Sequence, residues 1–489
     1  MRRLADVGIF YIAQQLLNLR GLVLIPLIAR TLGVEAYGTL VLAWNAVMLV
    51  QVLTALAFPQ GVIRLLSARP EPVFARVTLP TLGLFVLAPW SVLTAGLVLA
   101  AGSLGVQLRI VDAAPLALLV AIKALFEAWY FIFSSYWIAS SRNRRYVAVQ
   151  VGFYTGELAA VLAAVLSGQG VLGVLAMSAL WEGLYVAGVV GSVLGETGLG
   201  RLEYAVLARY LAFCLPAVVP QITLWILGLS DRFILAAFRD TDVVGIYSAA
   251  YNLANLIVGY NTAVWFVFAP RASRSYDREG ADGARAELAS AVRLFLALAI
   301  PMAVGLTVLA GPLLDLLLHQ NITREARLTV PLVCAGTLAY ALYVAASWSF
   351  SLRLDNRPLL LFSLAASAVN VLANLLLVPS FGMLGAAVST TLSYLLLALL
   401  GFVFGRRYLP LAIPWTFTWR AALAATAMGA ALLLIPIPGH LAWLALAASG
   451  AAGLYFALLI VLGGLTAEER GRLRAALTLA GGSIWICRC

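Results

Sequence analysis

Lys123 is the only lysine in a chain of 489 residues, and it stands in the middle of an apolar stretch. Glu127, Tyr130, Ser134, Trp137 and Ser141 follow it at i+4, i+7, i+11, i+14 and i+18, a spacing that puts all six side chains on one face of a helix. An ammonium placed in hydrocarbon costs about 2.5–3.5 kcal/mol on insertion scales, so it needs water, a carboxylate or an anionic ligand. Glu127, one turn away, can neutralise it, and the pair would then pin two helices together. The polar stripe is nearly as long as the helix, however, and a stripe of that length favours the wall of a hydrated cavity.

Arg20 raises the same question in the first apolar stretch, where it points away from a face made by Tyr11, Gln14, Gln15 and Asn18. Two readings stay open: an arginine that reaches the headgroups or packs two helices, and an anion contact in a cavity. Glu157 shares a face with Gln150 and Tyr154, and Glu182 shares one with Ser178 and Tyr185. Each glutamate is a candidate carrier of a proton or coupling ion, with a hydrogen-bonded packing residue as the alternative. Asn252 and Asn255 fall on one face with Ser248, Gly259 and Thr262, and Asn370 and Asn374 with Ser363 and Ser367. Such stripes line a polar path, or they join helices at about 0.6 kcal/mol per hydrogen bond.

Other chemistry lacks its residues. The single lysine follows Ile122, so there is no glycine-rich phosphate loop ending in Lys-Ser/Thr. His319 and His440 are too few and too far apart for a zinc-hydrolase motif, and no hydrolytic triad has a candidate. Asp240-Thr241-Asp242 has the D-x-D form that holds a divalent metal in membrane glycosyltransferases. Here it sits in a short turn beside Arg239, in a chain without a large external loop, so a charged turn is the reading adopted. The expectation is a protein that is not an enzyme and needs neither metal nor other cofactor. Cys214 and Cys334 sit in apolar stretches as small hydrophobes, and Cys487 and Cys489 have no partners for zinc.

The elements that must position these residues follow from composition. With 63% hydrophobic and 11% charged residues, the chain is not a soluble globular protein. A span takes about 20 apolar residues, and fourteen stretches qualify, from 6–28 to 441–463. The expected fold is therefore an all-α polytopic membrane protein of about 14 transmembrane helices. No cleavable signal is apparent, because the first stretch runs on past Arg20. The net charge of +11 does not point to nucleic acid, because its arginines are sorted by side. One set of alternate loops and the termini carry 24 of them, and the other set carries six, Arg232 and Arg239 among these. The positive-inside rule then puts both termini in the cytoplasm.

The stretch from Ser230 to Ser273 reads as a helix end, a charged turn and a second long helix. Shifted back by 207 residues, Ala237–Arg271 lies on Arg30–Arg64 without a gap, with Gly245 on Gly38, Ala250 on Ala43 and Asn252 on Asn45. A shift of 212 puts Arg357 on Arg145 and the G-x-L-G of Gly382–Gly385 on that of Gly170–Gly173. The chain thus reads as a duplication. Residues 1–200 form a six-helix lobe, 201–410 a second in parallel repeat, 411–465 two appended C-terminal helices, and 466–489 a cytoplasmic tail able to form an amphipathic helix. Between the eighth and ninth spans, Arg271–Arg293 is expected to be a hydrophilic loop.

Ile28–Gly38, Asp231–Leu253, Phe268–Arg271 and Asn370–Leu396 resemble the Wzx-like polysaccharide and O-antigen flippases of the multidrug/oligosaccharidyl-lipid/polysaccharide exporter superfamily. The resemblance runs from the first span to the twelfth and implies two lobes around a cavity that opens alternately to each side of a bacterial cytoplasmic membrane. The implied substrate is a polyprenyl-diphosphate-linked oligosaccharide, flipped from the inner to the outer leaflet for polysaccharide biosynthesis, among membrane lipids and with a polysaccharide polymerase as a candidate partner. Basic cavity residues of the family meet the diphosphate, and Arg20 and Lys123 are the nearest candidates, with Glu127, Asn252 and Asn255 beside them. The alternative in the same superfamily is a cation-coupled multidrug antiporter, which Glu157 and Glu182 would suit.

Overall fold

The computed structural model describes residues 20–67, 72–319, 322–411, 413–435 and 440–464, and among these it is entirely helical and turn. The helices of nine residues or more are α1 (Arg20–Thr31), α2 (Val34–Ala55), which is followed by a short α-turn at Phe58–Gly61 and a π-helical turn at Val62–Leu66, α3 (Pro72–Phe85), α4 (Leu87–Leu108), α5 (Ala113–Ala139), α6 (Asn143–Leu166) and α7 (Val171–Thr197). They continue with α8 (Tyr204–Phe238), α9 (Thr241–Val308), α10 (Ala310–Leu318), α11 (Arg324–Ser351), α12 (Arg357–Gly405), α13 (Trp415–Leu433) and α14 (Leu441–Val461). The polar face of the first apolar stretch, from Tyr11 to Asn18, and the tail helix expected at 466–477 lie outside the described residues.

Among the described residues, ten helical stretches, α3 and α4 counted as one, are long and apolar enough to cross a membrane. Two of these are hairpins of spans. The 68 residues of α9 would reach about 100 Å at about 1.5 Å per residue, against a hydrocarbon core of about 30 Å. They double back at Gly280, whose φ of 70° suits a residue without Cβ, and α12 breaks in the same way at Gly382, φ 52°. The chain is a multi-pass membrane protein. Arg271–Arg293 is not a loop but the helical tip of the α9 hairpin, since both arms run on past the apolar region. Arg271 pairs with Glu287 across the turn at 3.2 Å, and Tyr260 donates to the Leu294 carbonyl at 2.7 Å.

Helix α2 packs along the first arm of α9, and the two come closest where Gly38 faces Gly245. A Cβ on Gly38 would collide with the Thr241 carbonyl oxygen, and one on Gly245 would lie 2.6 Å from that of Val34. At the same end of the molecule, Arg109 after α4 pairs with Asp240 before α9. Helices α13 and α14 pack on the second arm of α9, where Tyr455 donates to the Ala297 carbonyl at 2.8 Å.

Helix α8 belongs to both sides. Tyr210, Cys214 and Val218 bury among Phe58, Leu79 and Phe133, whereas Leu227 packs with Tyr343 and Tyr394. Pro216 and Pro220 lie in the part of α8 that still packs on the first cluster, ahead of the passage to the second between Ile222 and Leu227, and their missing amide hydrogens free carbonyls there.

Candidate functional site

A cavity of about 640 Å³ lies between α1, α2, α5 and α6 on one side and α8 and α9 on the other. The crossing of α2 and α9 at Gly38 and Gly245 brings Tyr37, Trp44 and Asn45 opposite Ser248, Tyr251, Asn252 and Asn255. Asn252 Nδ2 donates to Tyr37 Oη at 3.4 Å across the gap, and Trp225 Nε1 donates to the Asn45 carbonyl at 2.9 Å. Glu127 and Glu157 add carboxylates to the wall, and Arg232 adds the guanidinium.

Arg232 is held by its own helix and by the aromatic face of the next. Its Nη1 donates to the Gly228 carbonyl at 2.7 Å and to Asp231 Oδ1 at 2.8 Å. The guanidinium carbon lies 4.4 Å from the Tyr251 ring centroid and 5.6 Å from that of Tyr247, within reach of both ring quadrupoles. Asp231 is secured in turn, because Tyr247 Oη donates to its Oδ2 at 2.5 Å and Thr390 Oγ1 at 3.3 Å. Ser230, next to Asp231 in the chain, donates its Oγ to Asn370 Oδ1 at 3.5 Å, and the same oxygen accepts from Asn374 Nδ2 at 3.2 Å. The result is a preorganised cation on a cavity wall, its partner carboxylate turned into the protein.

The lysine stripe is placed differently from its reading as a cavity wall. Lys123, Tyr130, Ser134 and Trp137 are buried, and of these residues Glu127 alone lines the cavity. Polar residues on α6 and α7 meet this face from inside the lobe. Lys123 Nζ donates to Glu182, fully buried on α7, and lies 3.8 Å from Glu157 on α6, while Tyr130 stacks on Phe153 with centroids 4.0 Å apart. So Glu157 faces both the cavity and Lys123, and Glu182 lies behind it. Asn252 and Asn255 line the cavity directly. Arg20 opens α1, one residue before the cavity-lining Gly21, and its side chain lies outside the described residues.

Asp231 and Arg232 do not stand at a helix end and in an outer loop, as their charge suggests in the sequence: both lie inside α8 and are buried. The signal was present, because six apolar residues, Phe233–Phe238, follow the pair before the first polar one. As for Asp240 and Asp242, Asp240 binds Arg109 and Asp242 accepts from the Val243 amide at 2.7 Å. Among the described residues no group of three or more His, Cys, Asp or Glu gathers around a metal-sized space.

Residues 4–276, more than half of the chain, match the family described as polysaccharide biosynthesis protein. The chain belongs to that family. Residues 205–462 match the lipid II flippase MurJ family as well, so two overlapping matches cover nearly all the described helices. Both are families of membrane transporters rather than enzymes. Among solved structures, the lipid II flippase MurJ in an inward closed conformation superposes with a TM-score of 0.76 at 14% identity, over 92% of this chain and 98% of that one. An inward-facing multidrug resistance MATE transporter gives 0.65 at 13% identity, over 80% and 94%. A transporter of the same superfamily from Pyrococcus furiosus, described as having a binding pocket of reverse polarity, gives 0.55 at 14%, over 82% and 93%. At these identities the structures establish the fold. No curated protein matches the chain by sequence.

Proposed function

We propose that this protein flips a polyprenyl-diphosphate-linked oligosaccharide across a bacterial cytoplasmic membrane, from the inner to the outer leaflet. The observation that carries the reading is Arg232, a held cation on the wall of a polar cavity between the two packed halves of a polysaccharide-biosynthesis family member. A diphosphate and its sugars cannot enter hydrocarbon unaided, whereas the prenyl tail stays in the lipid. Arg232 meets the diphosphate, with Arg20 as a second basic candidate. Asn252, Asn255 and Tyr37 offer hydrogen bonds to sugar hydroxyls.

The distribution of arginines supports a cytoplasmic location for both termini. In that orientation the Gly38–Gly245 crossing and the Arg109–Asp240 pair close the outer end, and the cavity loads from the cytoplasm. Residues 1–200 and 201–410 rock against one another as the two lobes, and the appended pair at 411–465 leans on the second. Glu157 and Glu182 are the candidates for coupling to a proton or ion, and a polysaccharide polymerase is the natural recipient of the flipped unit.

Glu127 and Glu157 on the cavity wall favour one other reading, a cation-coupled drug antiporter. Deletion of the gene separates the two. The flippase reading expects loss of surface polymer with intact lipid-linked repeat units accumulating inside. Normal polymer with increased drug sensitivity would replace it with the antiporter.

A further inference from the structure

Three charged side chains from three different helices meet inside the first half of the molecule, and Glu157 alone of the three also lines the cavity that holds Arg232. Lys123 of α5 is fully buried, Glu182 of α7 is fully buried, and Glu157 of α6 is 8% exposed. The ammonium donates to Glu182 Oε1 and stands 3.8 Å from Glu157 Oε1. Glu182 Oε2 is buried as well and has no hydrogen-bond partner among the described residues. Two carboxylates this close together, one of them fully buried, are strongly unfavourable unless a cation stands between them, and here the chain supplies one.

We propose that α5, α6 and α7 build a site for a small monovalent cation, and that the Lys123 ammonium is its resident, tethered occupant. The choice of residue supports this. Every other basic side chain except the two histidines is arginine, 31 in all, so a lysine here departs from the chain's own usage. An ammonium is a compact charge with three donors and packs between two carboxylates on separate helices, where a planar guanidinium would need more room. The second half has no counterpart. A shift of 212 carries Lys123 to Ala335 (123 + 212) and Glu182 to Tyr394 (182 + 212). Tyr394 makes a neutral hydrogen bond of 3.1 Å with Tyr251 in place of an ion pair. The second half meets its own buried carboxylate, Asp231, with Arg232 of the same helix, so a lysine tethered between carboxylates of two other helices belongs to the first half, and with Lys123 in place that half needs no cation from solution. This inference concerns how the lobe is held together and stands whatever passes through the cavity.

Removing the lysine should open the site to an external cation. The test is thermal unfolding of purified protein in detergent, in a choline buffer, with sodium or methylammonium chloride titrated in. Wild type should melt at one temperature whatever the cation. Lys123→Ala should melt lower, and methylammonium or sodium should recover at least half of the loss. Lys123→Ala/Glu182→Gln, with one acid neutralised, should melt close to wild type and ignore the cation. If Lys123→Ala is too unstable to purify alone, purification in methylammonium is part of the test, and a yield restored by that cation supports the site. A Lys123→Ala protein that melts like wild type, or that loses stability and recovers none of it with either cation, would overturn the proposal. So would a wild-type protein that sodium stabilises and Glu182→Gln renders indifferent.

Discussion

Gly38 and Gly245 face each other where α2 crosses α9, so closely that a Cβ on Gly38 would overlap the Thr241 carbonyl oxygen. They are also the two positions that the 207-residue shift of the sequence lays on one another. A contact between like residues of two repeats is what an axis running between them produces, and here that contact sits beside the Arg109–Asp240 pair that joins the same two halves.

A bulkier residue at this crossing should part the halves. Overpacking a tight contact costs about 1–3 kcal/mol, and about 1.4 kcal/mol is a factor of ten in a two-state equilibrium. Gly38→Val should therefore lower cross-linking of an Arg109→Cys/Asp240→Cys pair, with the native cysteines replaced, by about fivefold at the low end of that cost. Neutralising Asp240 alone should matter little, because both partners of that ion pair are mostly exposed. Unchanged cross-linking in Gly38→Val would mean that the glycine crossing does not hold this end shut.

Orientation is open to a direct check. Gln169→Cys and Asp277→Cys, on a cysteine-free background, place thiols in the α6–α7 connection and near the tip of the α9 hairpin, both exposed. A membrane-impermeant maleimide added to intact cells should label the first and leave the second. Labelling of Asp277→Cys alone would invert the topology, and with it the side from which the cavity loads.

The general plan was legible in the sequence because it rests on long-range patterning. Apolar length, sorted arginines and the displaced repeat all survive without contacts, and they led to an all-helical chain of many spans. The 207-residue shift even paired Gly38 with Gly245, although nothing in one dimension says that paired positions touch. Side-chain partners were less legible. Lys123 has Glu127 one turn away in sequence, yet its hydrogen bond goes to Glu182, 59 residues on, because α7 packs where Lys123 points. A helical stripe shows which residues share a face but not whether that face meets water or another helix. Arg232 was misread for a related reason: a charged pair looked like a helix end although six apolar residues follow it.

Pro216 and Pro220 interrupt α8 one to three turns before it leaves one packed cluster for another, between Ile222 and Leu227. Proline is about 3 kcal/mol less favourable than alanine inside a helix, so Pro216→Ala/Pro220→Ala should be at least as thermally stable as wild type. Its transport should nonetheless be slower, because a straighter α8 resists the change of tilt between the halves. Wild-type polymer output from a strain with low expression of the double variant would reduce the prolines to a packing kink.

The central claim is that a diphosphate head passes through the cavity by way of Arg232. Flipping of a fluorescent polyprenyl-diphosphate oligosaccharide in proteoliposomes, read by protection from a membrane-impermeant quencher, tests it most directly. Wild type should move the lipid, and Arg232→Lys should keep part of the rate. Because Arg232→Ala alone would leave Asp231 buried without its ion-pair partner, the decisive variant is Asp231→Asn/Arg232→Gln, which should reconstitute normally and flip at the rate of empty vesicles. A neutral polyprenyl-linked oligosaccharide should be a poor substrate even for wild type. Wild-type flipping by the double variant, or equal flipping of the neutral lipid, would contradict the account.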